Sequence, residues 1–154
     1  MVDFLKEADG IKDEIIAWRR DFHKHPELGF EEVRTAGIIA KHLESLGIET
    51  KTGVGKTGVI GRLHGKGEGP TIMLRYDIDA LPIQQESDLD YASVYEGKLH
   101  GCGHDGHAAI GMGTAALLAK NRDAFKGVCR RKYRSGFNVH FSIGRDRVQV
   151  QTKT

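Results

Sequence analysis

Thr71-Ile72-Met73-Leu74-Arg75-Tyr76-Asp77-Ile78-Asp79 reads as a β-strand of period two, and the rest of the chain is best understood outward from it. Alternation puts Ile72, Leu74, Tyr76 and Ile78 on one face and Met73, Arg75, Asp77 and Asp79 on the other. Two carboxylates thus share a side at the end of an apolar strand, where α/β folds place their chemistry. Like charges so close repel unless a cation sits between or beyond them. Spacing alone leaves two readings open. Either a metal faces the acids, or Arg75 pairs with one of them and the other caps the following loop.

Upstream lies a glycine-rich stretch, with short strands expected at about 48–52 and 57–64 joined by tight turns. Gly-Val-Gly-Lys-Thr-Gly (53–58) is no phosphate loop, because it lacks the four-residue gap before the second glycine. Further upstream, Phe4, Ala8, Ile11, Ile15, Trp18 and Phe22 form one apolar stripe, which predicts a single helix capped by Asp3 and ended by Pro26. His23 and His25 then fall near its last turn, where imidazoles can bond free carbonyls. A second helix is expected from Glu31 to Leu46, with Gly47 as its C-terminal stop. Downstream, residues 83–100 read as an irregular loop, and an alanine- and glycine-rich helix as running from Asp105 to Lys120. The fold class is therefore α/β, helices flanking a mixed β-sheet.

Composition narrows the class. The 154 residues are 39% hydrophobic, and their 20 glycines follow no three-residue period, which excludes a collagen-like or disordered chain. No apolar run approaches a membrane span, and Asp3 and Glu7 stand where a signal peptide would start basic. Two cysteines, Cys102 and Cys129, do not make a disulfide scaffold. The expected setting is the cytoplasm. Residues 1–125 carry a net charge of −5 and residues 126–154 a net charge of +7, which together give +2. The basic end reads as a solvated tail, since no aromatic-basic interleaving marks a nucleic-acid contact.

The chemistry concentrates in His100-Gly101-Cys102-Gly103-His104-Asp105-Gly106-His107. Cys102 and His104 lie two apart, so in an extended segment both point the same way. A thiolate and an imidazole are zinc-type ligands, and a helix N-terminus just beyond them favours the thiolate. Asp105 would cap that helix or orient an imidazole.

At these residues the chain resembles the metal-dependent amidohydrolases of the aminoacylase/carboxypeptidase class, in the branch of N-acyl-amino-acid, hippurate and auxin-conjugate hydrolases. The resemblance rests on Arg20-Asp21-Phe22-His23-Lys24-His25-Pro26-Glu27-Leu28-Gly29-Phe30-Glu31-Glu32, on Leu74-Arg75-Tyr76-Asp77-Ile78-Asp79-Ala80-Leu81-Pro82-Ile83, and on Gly101-Cys102-Gly103-His104-Asp105-Gly106-His107. It implies a two-metal site of zinc or manganese that hydrolyses the amide of an N-acyl amino acid. It also implies a catalytic domain with a smaller dimerising domain inserted later. Carried over by position, Cys102 and His104 match metal ligands, and Asp79 matches the catalytic acid that sits behind a ligand and tunes it. His107 takes no role from the resemblance.

The resemblance ends near Gly127. The family continues into a glutamate-bearing strand that supplies the general base, whereas this sequence has Val128-Cys129-Arg130-Arg131-Lys132-Tyr133 and no glutamate after Glu96. The chain therefore divides into residues 1–127, the N-terminal part of a catalytic domain, and residues 128–154, a basic divergent tail. A frameshift or truncation and a genuine alternative ending both account for the tail. Alternation at Phe137, Val139, Phe141, Ile143, Val148 and Val150 is compatible with a β-hairpin. With neither the base nor the dimerising domain in these residues, hydrolysis by this chain is expected to be absent. The alternative reading is a non-catalytic remnant that retains some metal affinity.

Overall fold

The computed structural model describes residues 2–134. The hairpin expected beyond them lies outside the described residues.

Asp3 accepts a hydrogen bond from the Lys6 amide (3.1 Å) and starts helix α1, Phe4–Asp9. The single helix expected here is two, because the chain breaks at Gly10 and Ile11 before α2, Lys12–Lys24. Glycine is a poor helix former, and its amide caps α1 instead of continuing it. The apolar stripe survives the break. Ile11 and Ile15 reach Gly113, Trp18 packs on the core, and Phe22 is buried. Leu5, on the detached first turn, stays 84% exposed. His25 ends α2 outside the helical region, at φ −124° and ψ 60°, ahead of Pro26.

Helix α3, Val33–Ser45, begins where the Glu27 carboxylate accepts from the amides of Arg34 (2.9 Å) and Thr35 (2.7 Å). These are donors that a first turn cannot satisfy internally. Gly47 follows the helix at φ +66°, as a C-terminal stop requires. Strands β1 (Glu49–Val54), β2 (Gly58–His64) and β3 (Thr71–Asp77) come next, then helix α4 (His104–Lys120) and strand β4 (Val128–Arg134).

The sheet order is β1-β2-β4-β3. β4 pairs antiparallel with β2 and parallel with β3, so the start of the sequence's basic segment occupies the inside of the sheet. Ile39 and Leu43 of α3 and Ala108, Met112 and Ala115 of α4 pack with Val59, Leu63, Tyr76 and Tyr133 in one core. The small residues of α4 permit this approach. A Cβ on Gly111 would lie 2.7 Å from the Tyr133 ring and 2.8 Å from that of Tyr76. Along β3, Tyr76 is buried and Leu74 half-buried, and Ile78 just beyond is buried, as the alternation predicts. Ile72, at the start of an outer strand, remains 58% exposed. β3, α4 and β4 form a βαβ unit, which puts the α4 N-terminus at the C-terminal ends of two parallel strands.

Candidate functional site

The site is assembled around the exit of β3. The Ala80 amide donates to the Glu27 carbonyl (2.8 Å), and Leu81 and Leu99 exchange backbone bonds of 2.9 and 3.0 Å. That exchange returns the otherwise irregular 83–100 loop to the strand end and places His100 beside it. Cys102 is exposed in the turn that follows. Gly103, left-handed at φ +80°, then launches α4 at His104. The expectation that Cys102 and His104 lie in an extended segment is therefore corrected. A tight turn joins them, so the two-residue alternation does not set their directions.

The two acids of the strand end take different partners. Asp77 receives both Nε (3.0 Å) and Nη2 (2.8 Å) of Arg75, which neutralises it. Asp79 faces His104, whose Nδ1 lies 2.9 Å from the Asp79 carbonyl oxygen and 3.1 Å from Oδ1. A carbonyl oxygen only accepts, so His104 Nδ1 carries a proton, and in the neutral ring the lone pair is then on Nε2. This is how a carboxylate holds a histidine for a metal.

Asp105 does not cap α4. It is buried, and its Oδ2 accepts from His23 Nδ1 (2.8 Å) and Arg19 Nε (2.9 Å), which ties the first turn of α4 to α2. His23 is accordingly a buried partner of this acid, not a cap on helix carbonyls. His25 does bond a carbonyl, donating from Nδ1 to Asp21 at 2.9 Å. Tyr91 of the loop stacks edge-on against His23, with the Arg19 and Arg20 guanidiniums 5.2 and 5.0 Å from its ring centre. His100 is buried with neither ring nitrogen bonded among the described residues. Burial pushes its pKa down to about 4 against the opposing charge of Asp105, so it is neutral near pH 7. His107, assigned nothing from sequence, accepts at Nδ1 from the Asp77 amide (3.1 Å).

Among the described residues no three His, Cys, Asp or Glu side chains converge on one point. The donor types nevertheless suit a transition metal, since a thiol stands close in sequence to an imidazole whose Nδ1 is taken up by Asp79, which leaves Nε2 as the ligating nitrogen of the neutral ring. They fit as a pair of ligands rather than as a complete site. Of the two roles expected of Asp105 the structure shows the second, orienting an imidazole, but that the imidazole is His23, that Arg19 joins it and that His107 meets Asp77 were not readable in advance. Their only signal was the presence of Asp105 and His107 inside the glycine-rich motif.

Comparison with known proteins places the chain among hydrolases. The sequence model of peptidase family M20/M25/M40 matches residues 73–130. An N-acyl-L-amino acid amidohydrolase of Geobacillus stearothermophilus is 43% identical over 80% of this chain and 33% of its own length. Residues 73–130 are M20 family sequence. Thermostable carboxypeptidase 1 of Saccharolobus solfataricus is a further relative, 44% identical over 84% of this chain and 34% of its own. A crystal structure of a dinuclear metal binding M20 peptidase from Bacillus subtilis superposes with a TM-score of 0.78 at 43% identity. That match covers 83% of this chain and 36% of the solved one. The chain thus spans about a third of the length of the curated relatives it matches. No helix among its described residues is long and apolar enough to cross a membrane.

Proposed function

We propose that this chain carries part of the metal centre of an M20 amidohydrolase acting on N-acyl amino acids. Cys102 and His104 would be ligands of zinc or manganese, with Asp79 as the acid behind His104. The observation that carries the reading is the bond from His104 Nδ1–H to Asp79, which fixes the imidazole with Nε2 free to ligate. A bound divalent cation supplies Lewis acidity toward the amide carbonyl. Cys102 and His104 would hold it, with Asp79 bonded to His104 Nδ1 and the Asp105 anchor fixing the helix turn that bears His104. Relatives described as an N-acyl-L-amino acid amidohydrolase and an N-acetyl-L-cysteine deacetylase support the substrate class. A cytoplasmic setting is part of the same proposal.

Zinc titration against a chromogenic competitor tests the ligands. The 154-residue chain should bind zinc weakly, Cys102→Ser should abolish binding, and Asp79→Asn should weaken it by about 10–100-fold. Unchanged binding in Cys102→Ser would refute the assignment.

A second reading, a non-catalytic chain with residual metal affinity, is favoured by the lack of three converging donors among the described residues and of any glutamate after Glu96. A positioned base typically contributes about 10²–10⁴ in rate. Hippurate and N-acetyl amino acids should accordingly show no hydrolysis above buffer with this polypeptide and either metal. Turnover that disappears in Cys102→Ser would decide for the enzyme reading.

A further inference from the structure

The two helices that pack on the sheet, α3 and α4, lie on the face that carries Gly61, Tyr76 and Tyr133. Strand register collects on the opposite face Lys51 of β1, Arg62 of β2, Arg130 and Lys132 of β4, and Arg75 of β3. Arg62 stands directly opposite Arg130, and Lys132 directly opposite Arg75, and like charges so placed repel. Two acids of the strands share this face. Asp77 is taken by Arg75 at 2.8 Å, and Glu49 reaches Arg62 at 3.3 Å. Arg130 keeps a buried Nε with no partner among the described residues. Five cations against two carboxylates leave an excess of positive charge that an anionic partner relieves. Lys51, Arg75 and the apolar Met73 of this face are exposed, and Arg62 is half-exposed.

The chain also carries the complementary element. Residues 83–97 include Glu86, Asp88, Asp90 and Glu96 and no lysine or arginine. Glu86-Ser87-Asp88-Leu89-Asp90 is exposed throughout, and its acids enter no ion pair among the described residues. The loop is braced on either side of this segment. Gln84 accepts from the Gly97 amide and Gln85 from the Ser93 amide, both at 2.7 Å, so docking has little left to order. Tyr91, next in the chain, lies against His23 and the Arg19 and Arg20 guanidiniums of α2, which holds the segment on the helix side of the sheet. That keeps its acids from the basic face of their own chain and leaves them for another.

We propose that the basic sheet face is an interface for a second copy of this chain and seats the acidic segment 86–90, with Leu89 against Met73. The two surfaces differ, so the contact is heterologous and extends head to tail instead of closing a symmetric pair. Charge steers and registers the docking, while Leu89 and Met73 supply an apolar contact that a bare polyanion lacks. The interface does not involve the metal ligands.

Sedimentation velocity of the full chain, before and after nuclease treatment, tests this. Association of the wild type should weaken about tenfold or more between about 20 mM and about 500 mM sodium chloride, as contacts between exposed charges do. A loop variant (Glu86→Lys, Asp88→Lys, Asp90→Lys) and a face variant (Lys51→Glu, Arg62→Glu) should each lose the salt-sensitive association. An equimolar mixture of the two should regain it, because each then offers the other an opposite charge. Circular dichroism checks that both variants fold, and the salt and nuclease readings use the wild type alone. Association indifferent to salt and to both variants would be edge pairing of β3 and would overturn the proposal. Association lost on nuclease treatment would make a nucleic acid the occupant and overturn it too. A wild-type monomer at every concentration in low salt, or folded variants that stay apart on mixing, would do the same.

Discussion

Arg131 is a charged side chain buried without a partner among the described residues. It is fully buried on β4, and its Nε, Nη1 and Nη2 all lack a hydrogen-bond partner among the described residues. The flanking register positions are Gly61 on β2 and Leu74 on β3, neither of which offers an acid. A guanidinium does not escape the cost by losing its proton. Removing a buried charge in favour of a well-packed apolar side chain is commonly neutral or stabilising by about 1–4 kcal/mol. Arg131→Leu is accordingly expected to raise the urea midpoint of the chain without changing the slope. A lower midpoint would show that the guanidinium has a partner outside the described residues. Cys102, His104 and Asp79 were legible as candidates at this same scale, because each sits in a short motif whose residue types name the chemistry. The pairing of Asp105 with His23 was not, since they meet across 82 positions of sequence.

At the scale of elements, α3 and α4 are joined by His42, whose Nε2–H donates to the Met112 carbonyl at 3.1 Å while Trp18 packs edge-on against its ring at 4.8 Å. Burial lowers the His42 pKa, and the bond to Met112 opposes the shift without cancelling it. The unfolded chain, with an ordinary imidazole near pH 6.5, therefore binds a proton more readily than the folded one. The stability that His42 contributes is full above about pH 6.5 and declines as the pH falls below it. Thermal unfolding followed from pH 7.5 to 5 should show a steeper loss for the wild type than for His42→Gln. Parallel curves would remove His42 as a cause. Apolar periodicity found α3, and alanine richness found α4, to within two residues at each end, yet periodicity missed the break between α1 and α2. The apolar stripe runs through that break in phase, so the pattern alone could not register it.

For the whole molecule, the outer strands of the described sheet are β1 and β3. Ile72 and Met73 on β3 are 58% and 41% exposed. An outer strand with apolar side chains and unpaired backbone groups invites pairing with another chain. Self-association that grows with concentration is expected in sedimentation velocity, and Met73→Lys should reduce it. A monomer at all concentrations would contradict this. The βαβ unit that builds the site is a property of the same scale. It places the α4 N-terminus, with His104 and His107, against the acids at the end of β3.

Local pattern was enough to determine the helix faces, the alternation of β3, the glycine stops and the identity of the metal-type donors, because each depends on residues within a few positions of one another. Pairing and tautomers were decided only by the tertiary structure. The run Arg130-Arg131-Lys132 reads as a solvated tail by composition, yet strand order seats it between β2 and β3. Asp77 and Asp79 share a face by alternation, but Arg75 takes one and His104 the other. His104 and His107 are the same residue type on one helix turn, and they differ in which nitrogen bears the proton because one meets a carbonyl and the other an amide. A hydrogen bond to a distant backbone group leaves no trace in sequence, since every residue but proline offers the same donor and acceptor.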